Sequence, residues 1–364
     1  MADLTPMMQQ YQSIKKRYPD SILFFRMGDF YEMFADDAKI AARVLDLALT
    51  SRNKGGGKKT PMAGVPAHSA ESYIATLIEE DYKVAICEQL EDPDEAKGLV
   101  ERDVIRVITP GTVIETELLE EKENNYLTAV VSQDEKIGLA YVDISTGEFK
   151  LTEFKSKSGE KIRDELDRIQ TREVLIEEQL KDNNYQQFLH DSKIVENTPA
   201  GLDFESAYNT LIEHFSTTSL AGFGCENKKA GIIAAGEIIN FLQETQKRTL
   251  SHINKLQPYE LSQYMVLDSA TRRNLELTRS IRSNKKEGTL LNILDKTITS
   301  MGGRLIKKLI HQPLIDIEKI NRRLNAVEEL IENYLLLQTL RDKLKGIYDL
   351  ERILSKISYE SANA

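Results

Sequence analysis

At 364 residues the chain exceeds what one hydrophobic core usually serves, so two or three domains are expected. With 41% hydrophobic and 29% charged residues, and no apolar run near the roughly 20 residues of a membrane span, the composition argues against a membrane protein. The opening MADLTPMMQQ lacks the charged-then-apolar layout of a secretory signal, and two isolated cysteines, Cys87 and Cys225, offer neither a disulfide framework nor a metal cluster, so a reducing, cytoplasmic home fits.

A net charge of −10 taken alone argues against a nucleic-acid binder, which usually shows a basic footprint. The average hides an asymmetry. Lys+Arg stand against Asp+Glu as 14 to 19 over residues 1–115, 16 to 26 over 116–260 and 18 to 13 over 261–364, so the last segment is net basic. Within the first, RNKGGGKK at 52–59 packs four positive charges into eight residues around three glycines. Such a loop could reach a phosphate backbone or be a solvated surface loop, and charge alone leaves both open.

In chain order, FFRMGDFYEMF at 24–34 crowds four phenylalanines and a tyrosine around one Gly-Asp, in a chain with no tryptophan. Residues 21–27 read as a short buried strand closed by Gly28-Asp29. A helix is expected next: Asp29 stands where an N-cap would, Glu32 completes a capping-box spacing, and Phe30, Phe34, Ala38, Ala41 and Leu45 recur at helical intervals. A loop at 51–61, a helix over 69–82 and strands over 83–89 and 102–109 follow. Residues 1–115 then form a small mixed α/β domain.

The acidic stretch at 115–124 leads through a linker, 116–125, to a change of texture. Residues 126–132, 137–144 and 148–154 alternate like strands, with Ser145-Thr146-Gly147 as a turn. A helix near 158–170, a strand at 173–178 and helices near 205–215 and 228–247 complete a ribonuclease-H-like α/β layout over 126–258. A catalytic version of that layout would hold two divalent metals on strand-end carboxylates; Asp143 lies suggestively on a strand of the hairpin but has no convincing partner set. From 259 to 364 the sequence reads as almost wholly helical, including LDSATRRNLELTRSIR, with Pro313 ending one helix. Helical periodicity still runs at SYESANA without a capping signal, which suggests a chain cut inside a larger helical domain.

No GxxxxGK[ST] phosphate loop, GxGxxG, HExxH or CxxC occurs, so an ATPase, dehydrogenase or zinc enzyme is not visible. His68, His190, His214, His252 and His311 are scattered through different predicted elements and read as surface or core residues.

Several segments carry a resemblance. GDFYEMF, TPMAGVPAHSAESYIATLIEEDYKVAICEQLEDP, VERDVIRVITPGT, LAYVDISTGEF, LDSATRRNLELT, GGRLIKKLIHQPL and YDLERILSKI, collinear from one end of the chain to the other, together resemble the N-terminal half of the MutS family of bacterial DNA mismatch-recognition proteins. The resemblance implies a mismatch-binding domain, a connector domain and the first part of a helical core or lever domain. It also implies a chain without catalysis of its own, since the family's dimerising ATPase domain, with its ATP and magnesium, lies further on. Implied partners are double-stranded DNA with mismatches or small insertion/deletion loops, a MutL-type repair protein and, in the full-length parent, a second copy. The implied setting is the bacterial cytoplasm, in association with the nucleoid.

The positions matching the family's Phe-x-Glu motif are Phe30 and Glu32. By the same resemblance Met27, Arg52, Met62 and Arg102 stand as supporting contacts, the arginines acting on phosphates, which position a protein without reading sequence. An aromatic wedge in the minor groove exchanges base–base for base–aromatic stacking, and a mispaired base is displaced at less cost than a paired one. Glu32 faces a phosphate-lined groove. Either it takes up a proton there and hydrogen-bonds the displaced base, or its charge penalises ordinary duplex. Spacing alone offers a competing reading in which Asp29 and Glu32 cap a helix and Phe30 and Phe34 pack it. The readings conflict, because a carboxylate tied to a helix start cannot also point at a base. A chain holding only these parts is expected to bind DNA weakly, since it must deform the duplex without the family's clamping arms.

Overall fold

The computed structural model describes residues 5–53, 59–91, 98–155, 159–182, 184–247 and 250–358. The chain divides into two compact units, residues 1–112 with 242–248, and residues 113–241 with 249–364.

The first unit is built on a six-stranded mixed sheet. Its elements are α1 (Pro6–Arg17), β1 (Ser21–Met27), β2 (Phe30–Phe34), α2 (Ala35–Val44), β3 (Thr50–Asn53), β4 (Lys59–Pro66), α3 (Ala70–Glu79), β5 (Lys83–Gln89) and β6 (Arg102–Ile108), with strand order β3-β4-β2-β1-β5-β6. One face of the sheet is covered in part by α1: Met8, Tyr11 and Ile14 pack on Leu23, Phe25, Phe34, Ala85, Cys87 and Val104. The other face buries Phe24, Tyr31, Met33 and Val65, with α2 against β4 and α3 against β5. The end of helix α7 (Lys229–Gln246) and the residue after it belong here too: Arg106 Nε donates to Gln246 Oε1 (2.9 Å) and Lys247 Nζ to Val104 O (2.7 Å).

Two expectations are overturned in this unit. Residues 30–34 form a strand, and the helix begins only at Ala35. Gly28 carries φ +59 at the first position of a two-residue turn, which makes FRMGDFYE a β-hairpin of the II′ kind, with Met27 paired to Phe30. The Asp-x-x-Glu spacing therefore caps nothing. The second correction concerns the loop read at 51–61, whose flanks pair as the antiparallel β3–β4 hairpin; residues 54–58 lie outside the described residues.

The second unit carries β7 (Tyr126–Gln133), β8 (Lys136–Asp143), β9 (Glu148–Lys155), α4 (Gly159–Ile169), β10 (Thr171–Ile176), α5 (Tyr185–Ser192), β11 (Val195–Asn197), α6 (Phe204–His214), the body of α7 (Lys229–Gln246) and β12 (Gln257–Pro258). The antiparallel meander β7–β8–β9 is extended by β10 and β11 running parallel to β7, giving the order β11-β10-β7-β8-β9-β12 and the ribonuclease-H-like layout. Alternation along β8 serves both faces: Ile137, Leu139 and Tyr141 join the core beneath α4 and α5, while Gly138 lets α7 approach so closely that a Cβ there would stand 1.9 Å from Ala230 O.

Helices α8 (Ser269–Asn274), α9 (Leu290–Leu294), α10 (Ser300–His311), α11 (Ile317–Glu332), α12 (Tyr334–Leu344) and α13 (Leu350–Ser358) follow. Asp268, Thr289, Thr299, Asp316 and Asn333 each cap a helix start with a side-chain oxygen. The acidic 116–125 stretch is held by cations from this region. Arg304 donates to Glu121 O (2.9 Å) and pairs with Asp349 and Glu351, and Arg352 donates to Glu120 O (3.0 Å) and Glu123 O (2.6 Å). Continuous helix through LDSATRRNLELTRSIR is not observed: α8 ends at Asn274, and positive φ at Glu276, Asn284 and Gly288 turns the chain over 275–289. Pro313 follows the end of α10, and residues 359–364 lie outside the described residues.

Candidate nucleic-acid interface

Strand periodicity decides how the aromatics of residues 24–34 are used. Along β2, Tyr31 (7% exposed) and Met33 (0%) point into the core, whereas Phe30 (48%) and Glu32 point the other way. Phe34 shares the face of Phe30 and Glu32 but lies under α1, its ring 4.9 Å from that of Tyr11, whose hydroxyl donates to Phe34 O (3.3 Å). Helix α1 thus covers one end of the strand and leaves the hairpin end open.

The register places other residues on this face. Met27 and Pro66 flank Phe30 on β1 and β4, Phe25 and Gly64 flank Glu32, and Met62 stands across from Phe34. Met27 and Met62 are half-buried and pack on the core beneath α1, so they form a floor beside the exposed ring. On β3 the backbone of Arg52 pairs with Thr60, which puts position 52 on the same face; its side chain lies outside the described residues.

Arg102 also belongs to this face, through its pairing with Gln89, but it is buried (8% exposed). Its Nε donates to Arg26 O (2.8 Å), its Nη1 to Val100 O (2.9 Å) and Gln10 Oε1 (3.3 Å), and the guanidinium stacks 5.1 Å from the Phe25 ring centroid. A charged strand end that reads from sequence as a phosphate contact is here engaged with the fold's own backbone.

The turn that presents Phe30 is braced from behind. Arg26 Nε donates to Gly28 O (2.5 Å), Ala67 N donates to Asp29 O (2.8 Å), and Arg26 lies over the ring of Tyr31, whose hydroxyl bonds Glu88. Burial and Glu88 together raise the Tyr31 hydroxyl above the ordinary tyrosine range, so it stays a donor to that carboxylate. Sequence reasoning missed Arg26, Gly64, Pro66 and Glu88. The period-2 alternation in FYEM was their only signal, and the coincident Asp-x-x-Glu spacing masked it.

The other carboxylate singled out from sequence has a different fate. Asp143, at the end of β8, is wholly buried and accepts from Asn124 Nδ2 (2.7 Å), Asn125 N (3.3 Å), Ser145 N (2.9 Å) and Ser145 Oγ (2.7 Å). A carboxylate so satisfied ties a loop to a turn. Among the described residues no group of His, Cys, Asp and Glu could hold a metal ion, so a nuclease finds no support here. No helix among them is long and apolar enough to cross a membrane.

Profiles of MutS domain I, domain II and domain III match residues 5–117, 125–254 and 270–364, in that order. The chain belongs to the MutS family. The DNA mismatch repair protein MutS of Halothermothrix orenii is 66% identical over 365 residues, covering 100% of this chain and 41% of that protein. That of Alkaliphilus metalliredigens is 48% identical over 99% of the chain and 42% of the protein, and that of Clostridioides difficile 47% identical over 99% and 38%. The chain therefore spans less than half the length of these MutS relatives. Met27, Phe30, Glu32, Arg52, Met62 and Arg102 all fall within the match to MutS domain I.

Proposed function

We propose that the open face of β2 reads mismatched DNA from the minor groove, with Phe30 as the wedge and Glu32 beside it as the group that contacts the displaced base. The observation that carries this reading is the alternation on β2, which turns the exposed Phe30 and the half-buried Glu32 to one face while burying Tyr31 and Met33. The helix-cap reading, which would have tied Glu32 to backbone amides, falls with the helix itself. Unstacking a base step costs a few kcal/mol, and stacking on an aromatic returns about 1–3 kcal/mol per base whatever the base, so the wedge senses weak pairing and not sequence. A mismatch also lowers the cost of the bend that the wedge imposes. The braced Gly28-Asp29 turn supports a wedge held ready before DNA arrives.

In this proposal Met27 and Met62 floor the groove contact, Arg52 acts on a phosphate, and Arg102 contributes by fixing the β6 end rather than by touching DNA. The chain initiates mismatch repair in the bacterial cytoplasm at the nucleoid, on mismatches and small insertion/deletion loops, and residues 126–258 meet a MutL-type partner. ATP hydrolysis with magnesium and pairing with a second copy belong to parts of the family protein outside the matched span.

The test is a titration of duplexes with and without one G·T mismatch at a single low salt concentration, for the chain and for Phe30→Ala. The expected result is a preference for the mismatch that Phe30→Ala abolishes without lowering the melting temperature. A preference that survives in the variant contradicts the assignment.

A further inference from the structure

Among the described residues nothing in the fold requires a glycine at position 64. Its backbone lies in regular β4, outside the left-handed region, and the β2–β4 register runs without a shift from Phe30↔Pro66 to Phe34↔Met62, so it marks neither a turn nor a bulge. A Cβ built there would stand 3.4 Å from Tyr31 O and 3.8 Å from Glu32 Cγ, which is ordinary contact. The contrast with Gly138, where the same atom would overlap helix backbone, is sharp. A glycine inside a strand weakens it, because it costs more backbone entropy and packs no side chain. A fold-neutral residue at position 64 would therefore carry a side chain.

What the position does have is location. Gly64 is exposed and stands directly across from Glu32 on the open face, between Met62 and Pro66 of the same strand. Glycine in a strand that no internal neighbour requires is a mark of close approach by a ligand's or another chain's backbone. We propose that Gly64 keeps the strip of β4 beside Glu32 bare so that the sugar edge of the DNA strand carrying the mismatched base lies directly on the strand backbone. A side chain there would lift that strand off β4 and away from Glu32 while leaving the protein itself unstrained. This inference rests on the reading of the Phe30–Glu32 face given above, and names which part of the DNA passes where.

The experiment compares the chain with Gly64→Ala, Gly64→Val and Phe30→Ala, using a duplex with a single unpaired thymidine and its fully paired counterpart at one low salt concentration, with thermal melting of each protein alongside. The expected result is a melting temperature for both Gly64 variants equal to or above that of the parent. Affinity for the unpaired-thymidine duplex should fall about tenfold for Gly64→Val and less for Gly64→Ala. If Gly64→Val binds like the parent while Phe30→Ala loses the preference, the Gly64 inference fails and the reading of the face stands. A clear drop in melting temperature for Gly64→Val overturns the inference by showing that the fold needs the glycine. If the parent itself prefers neither duplex, both fail together.

Discussion

Glu32 on β2 and Asp143 on β8 are both strand-borne carboxylates that stand out in the sequence, one in each unit, and the structure puts them in opposite circumstances. Asp143 is wholly buried and accepts four hydrogen bonds, two of them from backbone amides, whereas Glu32 sits on an open face beside a half-exposed phenylalanine. A carboxylate whose lone pairs are spent on its own loops has nothing left to offer a metal or a substrate. One placed at the uncovered end of a strand stands where a partner can reach it. Burial, more than residue type or strand position, separates these two acids.

The strongest way to break that contrast is to remove each acid. Asp143→Ala should destabilise the second unit by roughly 3 kcal/mol or more, because buried donors lose their acceptor, while Glu32→Ala should change stability by no more than about 0.5 kcal/mol. Urea midpoints of the two variants measure this, and comparable losses would erase the distinction.

Binding should show the reverse order. Phe30→Ala is expected to cost about 1–3 kcal/mol of mismatch affinity, the value of one base–aromatic stack. Glu32→Gln should retain binding and narrow the ratio of mismatched to perfect duplex, since the amide still hydrogen-bonds a base but no longer repels an undeformed groove. Equal ratios in parent and variant, from titrations at one salt concentration, would remove Glu32 from the site.

The buried side of the comparison extends to His311, neither of whose ring nitrogens has a hydrogen-bond partner among the described residues. Burial first, then Lys307, Arg272, Arg168 and Arg279, disfavour its imidazolium and hold the group down to about 3. A histidine depressed from 6.5 contributes stability that is complete above pH 6.5 and lost as the pH falls toward 3. Burial lowers His214 and His252 in the same direction. Melting of the second unit should accordingly drop between pH 6.5 and 5, above the carboxylate range, and His311→Leu should make that dependence shallower. A parallel profile in the variant would show that His311 is not among the groups responsible.

The smallest expected effect concerns the basic β3–β4 connection, where Lys59 is exposed and Lys58 lies outside the described residues. If both reach phosphates, replacing them with Ala should reduce the slope of log affinity against log salt by about 2. An unchanged slope leaves the run a solvated loop.

Much of the fold was legible because its signals are local. The β7–β9 alternation and the Asp, Thr and Asn caps of the C-terminal helices need no distant neighbour to be read. The open face of β2 was not legible in the same way. Asp29 and Glu32 have the spacing of a capping box, and only the pairing of residues 30–34 with β4 on one side and β1 on the other makes them strand. Phe30 and Phe34 share a face and a residue type; what separates them is how far α1 reaches, which no periodicity records. Arg102 reads as a surface charge because the carbonyls of Arg26 and Val100 that claim it come from elsewhere in the chain and from a neighbouring loop.

The most direct test of the central claim places 5-iodouracil at the mismatched position of a duplex, irradiates the complex and maps the crosslinked peptide. A crosslink at Phe30 is expected, absent from the perfectly paired duplex and lost in Phe30→Ala. A crosslink confined to another residue, or of equal yield on paired DNA, would contradict it.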